Sequence, residues 1–161
     1  MIDTTKVTER RPLHFNTIDD VLADIDRIVA SDKAGTLRHT GNWTPGQAMG
    51  HVAAWINYGY EGFPIKPPPW PIRIILRFMV KRMLKSGMRP GVKIPGVPNG
   101  TLGTDLLSTD EGAARLREAL MRLKNGEPAK FVSPGFGPMS EANRIKLTLR
   151  HAQLHLSFMH P

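Results

Sequence analysis

Cysteine is absent from this chain. Disulfides, thiolate metal ligands and cysteine nucleophiles are therefore excluded, and a reducing, cytoplasmic setting suits the composition. Any metal must be held by histidine nitrogens and oxygen ligands. No run of about 18 uninterrupted apolar residues occurs, so no helix is expected to span a bilayer. The opening Met1-Ile2-Asp3-Thr4-Thr5-Lys6 has neither a basic n-region nor an apolar h-region, so no secretory signal is expected. Glycines between Gly91 and Gly103 are not followed by Gly-Lys-Ser/Thr, which removes a phosphate loop. Gly-x-Ser-x-Gly is also missing, so a hydrolase nucleophile elbow has no support. Strand-like alternation of useful length is missing too, and no internal repeat is found.

Acidic residues are missing from one long stretch. Between Gly62 and Thr104 there is no Asp or Glu. The same stretch carries Lys66, Arg73, Arg77, Lys81, Arg82, Lys85, Arg89 and Lys93, which equals the whole net charge of +8. The basic character thus belongs to one segment, 62–107, rather than to a general nucleic-acid surface, and no nucleic acid is expected as partner.

What the chain does have is helical periodicity. Its 161 residues, 40% of them hydrophobic, suit one domain spanning 1–161. Thr17 is an N-cap before the stripe Ile18, Val21, Leu22, Ile25, Ile28 and Val29, giving a first helix to about Ser31. Thr44 with Pro45 starts a second, expected to reach Tyr60, and Trp43 is placed to pack back on Ala48 as a staple. Five prolines between Gly62 and Pro71 make a stiff connector. A basic helix then runs from Ile72 to about Gly87, with Ile74, Ile75, Phe78, Met79 and Met83 on its apolar side. Gly87 to Leu107 reads as irregular, with a tight turn at Asn99-Gly100. Ser108 and Glu111 form a capping box for a helix to Lys124. Ser140 caps the last helix, Glu141 to Met159. The expected fold is all-α: a four-helix bundle with an additional basic helix inserted between the second and third bundle helices.

Three of the six histidines fall on these helices in a telling way. His151 and His155 are four residues apart, one turn above each other on a helix face. His51 lies mid-way along the second helix, on the face of Ala48, Trp55 and Tyr58. If the two helices pack together, His51, His151 and His155 offer three imidazoles to one divalent metal and leave a coordination position open. Zinc is the default ion, and ligand type alone leaves nickel, iron and manganese open. A fourth ligand would require His14, Asp24 or Glu61 to reach in. The plainer alternative is two satisfied core histidines and an accidental neighbour. His14, His39 and His160 read as surface or packing residues, and Ser133 as a loop serine without a base. Ala152 stands where a zinc protease would place its glutamate, which removes that class. Gln47 and Tyr58, one and two turns from His51, are placed to shape a pocket.

The basic helix has two readings. It docks on an anionic membrane face, or it presents a solvated side while covering the bundle or lining a pocket; the second reading needs the apolar residues for packing. A hybrid has the basic patch drawing an anionic substrate toward the metal.

Two motifs resemble a known family. Trp43-Thr44-Pro45-Gly46-Gln47-Ala48-Met49-Gly50-His51, together with Arg150-His151-x3-His155-Leu156, resembles the DinB-like (YfiT-like) metalloenzyme superfamily. Phe136-Gly137-Pro138-Met139-Ser140 and Arg11-Pro12-Leu13-His14-Phe15 look like its branch called domain of unknown function 1569. The resemblance implies a DinB/YfiT-type four-helix bundle, a homodimer, and a metal held by one histidine of the second helix and two of the last, which fall on His51, His151 and His155. It implies a thiol-dependent transferase or a related metal-dependent enzyme such as a hydrolase, with a small-molecule substrate and a low-molecular-weight thiol as partner. The competing expectation is a non-catalytic metal-binding module whose basic insert contacts an anionic partner. Ser133 departs from a histidine expected before the Pro of the branch motif, Arg144 or Ile145 stands near an expected Trp, and the insert is not part of the superfamily core.

Overall fold

The computed structural model describes residues 2–94, 97 and 100–161. It is mostly helical, with five α-helices and one two-stranded ribbon. The helices are α1 (Ile18–Lys33), α2 (Pro45–Glu61), α3 (Trp70–Ser86), α4 (Thr109–Lys124) and α5 (Glu141–Leu156).

Four of the five helices begin at side-chain caps. Thr17 and Asp20 cap each other's backbone at α1, and Ser108 and Glu111 do the same at α4. Thr44 accepts the Gln47 N–H with Pro45 in the first turn of α2, and Ser140 accepts the Asn143 N–H at α5. Helix α3 has no side-chain cap. It starts at Trp70, two residues before the expected Ile72, because a proline within the first turn gives up only an N–H that has no helical partner.

Helix α5 ends at Leu156, short of the expected Met159. Ser157 donates its hydroxyl to the Leu154 carbonyl, and the Phe158 carbonyl accepts the Thr40 N–H at 3.0 Å. The chain then turns extended, and Met159–His160 (β2) pairs antiparallel with Arg38–His39 (β1). His160 is therefore tied down rather than frayed, and His39 is exposed on the partner strand. Asn99 of the expected turn lies outside the described residues.

Helix α2 packs on α4 and α5, and α1 packs on the same two. The shared interior holds Val21, Ile25, Ile28, Met49, Val52 and Leu116, all fully buried. The approach of α2 to α4 is close because glycines line it. A Cβ on Gly46 would overlap the Leu107 and Ser108 carbonyls, and one on Gly112 would overlap the Gly46 backbone. The contact therefore draws the end of the insert, 102–107, along the second helix.

One ion pair is sunk into this frame. Asp24, 1% exposed, receives both terminal nitrogens of Arg11 at 2.8 and 2.7 Å. Arg11 also donates to the Leu156 carbonyl, and its own N–H to that of Ser157. It fastens the N-terminal segment to α1 and to the end of α5. Asp24 is thus committed to Arg11, and Glu61 accepts from Arg122. Neither is free to act as a fourth ligand, and His14 is exposed.

Helix α3 corrects the packing expected of it. Its covered side is Leu76, Met79, Val80, Met83 and Leu84, whereas Ile74, Ile75 and Phe78 are exposed.

Candidate metal centre

Helix geometry brings His151 and His155 onto one face of α5, and the packing of α2 on α5 brings His51 to meet them. The three ring centroids lie 4.6–4.9 Å apart. One ligand atom from each lies within 4.8 Å of the others. His51 and His151 approach Nε2 to Nε2 at 3.1 Å. Two nitrogens bound tetrahedrally to one ion at about 2.0–2.1 Å would stand about 3.3 Å apart. The cluster therefore could hold a metal ion with small ring adjustments. Among the described residues it is the group of three His, Asp or Glu side chains close enough to do so.

The orientation of His51 is set from outside the cluster. Its Nδ1–H donates to the Leu102 carbonyl at 2.7 Å. That bond fixes the tautomer and leaves the Nε2 lone pair facing His151, the arrangement that outer groups give to metal-binding histidines. Leu102 can come so near because Gly103 follows it. Gly103 adopts φ +67°, and a Cβ there would press on Ala54 of α2. Gln47 steadies the same loop by donating to the Thr104 carbonyl at 3.1 Å.

Aromatic rings wall the cluster. Trp43 lies near-parallel to His155 with centroids 5.1 Å apart and tilts over His51 at 4.7 Å. Trp55 meets His51 and His151 edge-on. Tyr58 stands behind Trp55 at 5.6 Å. Neither Gln47 nor Tyr58 lines the cavity itself, contrary to expectation: one holds the loop and the other backs the wall.

Burial keeps the rings neutral. It pushes the His51 imidazole down to about 4, against a smaller opposing effect of the Leu102 bond. His151 and His155 are pushed down as well, first by burial and then by the neighbouring imidazoles. Neutral imidazole is the form that binds metal. A measurable consequence follows for the metal-free protein. The unfolded chain takes up a proton near 6.5, and folded His51 does not until about 4. Stability is therefore fully present above about pH 6.5 and lost as pH falls toward 4. Unfolding free energies from denaturant titrations at about pH 7.5 and about pH 5 should differ by on the order of 2 kcal/mol from His51 alone, seen as a lower midpoint at pH 5. Equal midpoints would mean that the rings are solvated.

The cluster opens onto a cavity of about 550 Å³. Phe63, Met83, Met88, Phe136, Met139 and Leu147 make much of its wall apolar, and Arg144 adds a cation. Arg144, Thr148, His151 and His155 share one face of α5, and the Arg144 main chain stands about 10 Å along the helix axis from that of His151. Ser133 also borders the cavity, but its hydroxyl accepts the Phe136 N–H at 3.2 Å within its own turn.

The contribution of Leu102 was invisible in the sequence because a main-chain carbonyl carries no residue signature. Trp43 had a signal, its place just before the α2 cap, but its stacking on His155 needs the tertiary fold. No curated protein and no solved structure matches the chain. A family model described as a protein of unknown function, DUF1569, matches residues 7–161, and the chain belongs to that family.

Proposed function

We propose that this chain is a metal-dependent enzyme in which His51, His151 and His155 hold one divalent cation, zinc or nickel. The observation that carries this reading is the convergence of three neutral ring nitrogens within 4.8 Å of one another at the wall of an apolar cavity. Mutual packing of α1, α2, α4 and α5 supports a single DinB-type four-helix bundle with 62–107 as its insert. The chain would work in the cytoplasm on a small molecule, by thiol-dependent transfer or by hydrolysis. A divalent ion with an open position supplies Lewis acidity, which lowers the pKa of a thiol or a water.

The protein's own groups have separate tasks. The Leu102 carbonyl holds the His51 ring in the metal-binding tautomer. Trp43 and Trp55 shield the cluster from water and limit ring rotation. Phe63, Phe136 and the methionines favour an apolar substrate body, and Arg144 offers an anchor for an anionic group on it. A non-catalytic metal-binding module is the second reading. It is favoured by Ser133, whose hydroxyl is engaged in its own turn where the resemblance leads one to expect a histidine.

Metal analysis of full-length protein purified without chelator tests the first step, with close to one ion per chain expected. The chelated and refilled protein is then assayed for transfer of small thiols to a panel of electrophiles. Absence of metal at any stoichiometry would sink the whole reading. Stoichiometric metal without turnover would select the binding module.

A further inference from the structure

Helix α3 leaves an unusual stripe uncovered. Trp70, Ile74, Phe78, Lys81 and Lys85 recur at four, four, three and four residues, so they share one helix face. Trp70 is 71% exposed, Phe78 68% and Ile74 45%. The N-terminal half of the stripe is thus apolar and the C-terminal half cationic. The Lys81 ammonium lies 5.7 Å from the Phe78 ring centroid, which joins the two halves. Arg82 and Ile75 extend the exposed surface beside it. The adjoining loop, whose Gly135 and Gly137 lie against Leu76 and Arg77, adds exposed Phe131 and Val132.

Charge decides what such a face can meet. None of the eight cations of the insert pairs with a carboxylate among the described residues. A second copy of the chain would bring the same uncompensated charges against them. A nucleic acid would satisfy the cations, and its bases could stack on the tryptophan and the phenylalanine, but it offers no apolar medium to Ile74 and Ile75 beside them. A bilayer surface rich in anionic lipid satisfies both halves: headgroups for the lysines, and the acyl boundary for the apolar side chains. No helix among the described residues is long and apolar enough to cross a membrane, so α3 would lie on the surface. We propose that α3 is a docking element for anionic lipid bilayers. This inference stands apart from the metal centre, although Phe131 and Val132 also line the cavity, so the docking face and the cavity wall meet there.

Full-length protein is incubated with phosphatidylcholine–phosphatidylglycerol vesicles and with pure phosphatidylcholine vesicles, and binding is read by co-sedimentation. Association with the anionic vesicles at low salt is expected, with loss as salt rises. The triple change Lys81→Gln, Arg82→Gln, Lys85→Gln should weaken it roughly 100-fold. The pair Trp70→Ser, Phe78→Ser should weaken it at least about tenfold. All five side chains are exposed, so the helical circular dichroism should not change. The proposal is overturned by lack of binding at low salt, or by equal binding to neutral vesicles. It is overturned equally if the serine pair binds as tightly as the parent, which would mark a site for polyanions such as nucleic acid. A concentration-dependent dimer that the serine pair abolishes, with no vesicle binding, would assign the face to a second copy.

Discussion

His151→Ala should lose one-to-one binding of zinc or nickel, with affinity falling by at least about 100-fold. Removing a group that merely orients a ligand costs 10–100-fold, and loss of a direct ligand costs more. His151 is the informative choice because its Nε2 is 3.1 Å from that of His51 and its ring centroid is 4.6 Å from that of His155. A second variant separates ligation from general damage. Gly103→Ala leaves all three imidazoles in place but pushes the Leu102 carbonyl away from His51, since the new Cβ meets Ala54. It should weaken the metal by about 10–100-fold and no more. Isothermal titration of chelated protein, with circular dichroism to verify the fold, measures both. Unchanged affinity in His151→Ala would remove the metal centre from consideration.

Asp24→Ala should be the most damaging change outside the site. Asp24 is buried and held by two Arg11 nitrogens, so its removal strands a partly buried guanidinium. Breaking a buried pair from one side costs about 3–5 kcal/mol. For a chain of this size that is about 10 °C in Tm. Arg11→Ala should cost as much, since it leaves the carboxylate alone and frees the Leu156 carbonyl. The double change Arg11→Met, Asp24→Leu should cost far less than the two single changes together, because no charge is then left unpaired. Additive losses in thermal melts would show that the pair acts as two independent contacts.

The contrast between these two regions explains what the sequence disclosed. Helix starts were legible because capping is local: Thr17 with Asp20, Thr44 with Pro45, and Ser108 with Glu111 each carry their signal within four residues. The His151–His155 pair was legible for the same reason, since four-residue spacing is a property of one helix. His51 could be joined to them only through a matching apolar pattern, and that inference required the two helices to pack. Arg11 and Asp24 gave no warning, because nothing in a 13-residue separation says that two side chains meet. Helix α3 misled in another way. Its apolar residues occur on more than one side, so periodicity could not say which side the protein covers, and Leu76 and Val80 were covered rather than Ile74 and Phe78. The short pairing of Met159–His160 with Arg38–His39 lay beyond reach because a two-residue ladder has no periodicity to detect.

The Leu102 carbonyl also bears on how the protein could be trimmed. Excising 62–107 to obtain a minimal scaffold looks harmless, because every imidazole lies outside that span. Yet the cut would delete the acceptor that locks the His51 ring. The shortened scaffold would keep its three donors, but the first would lose the bond that chooses which of its nitrogens carries the proton.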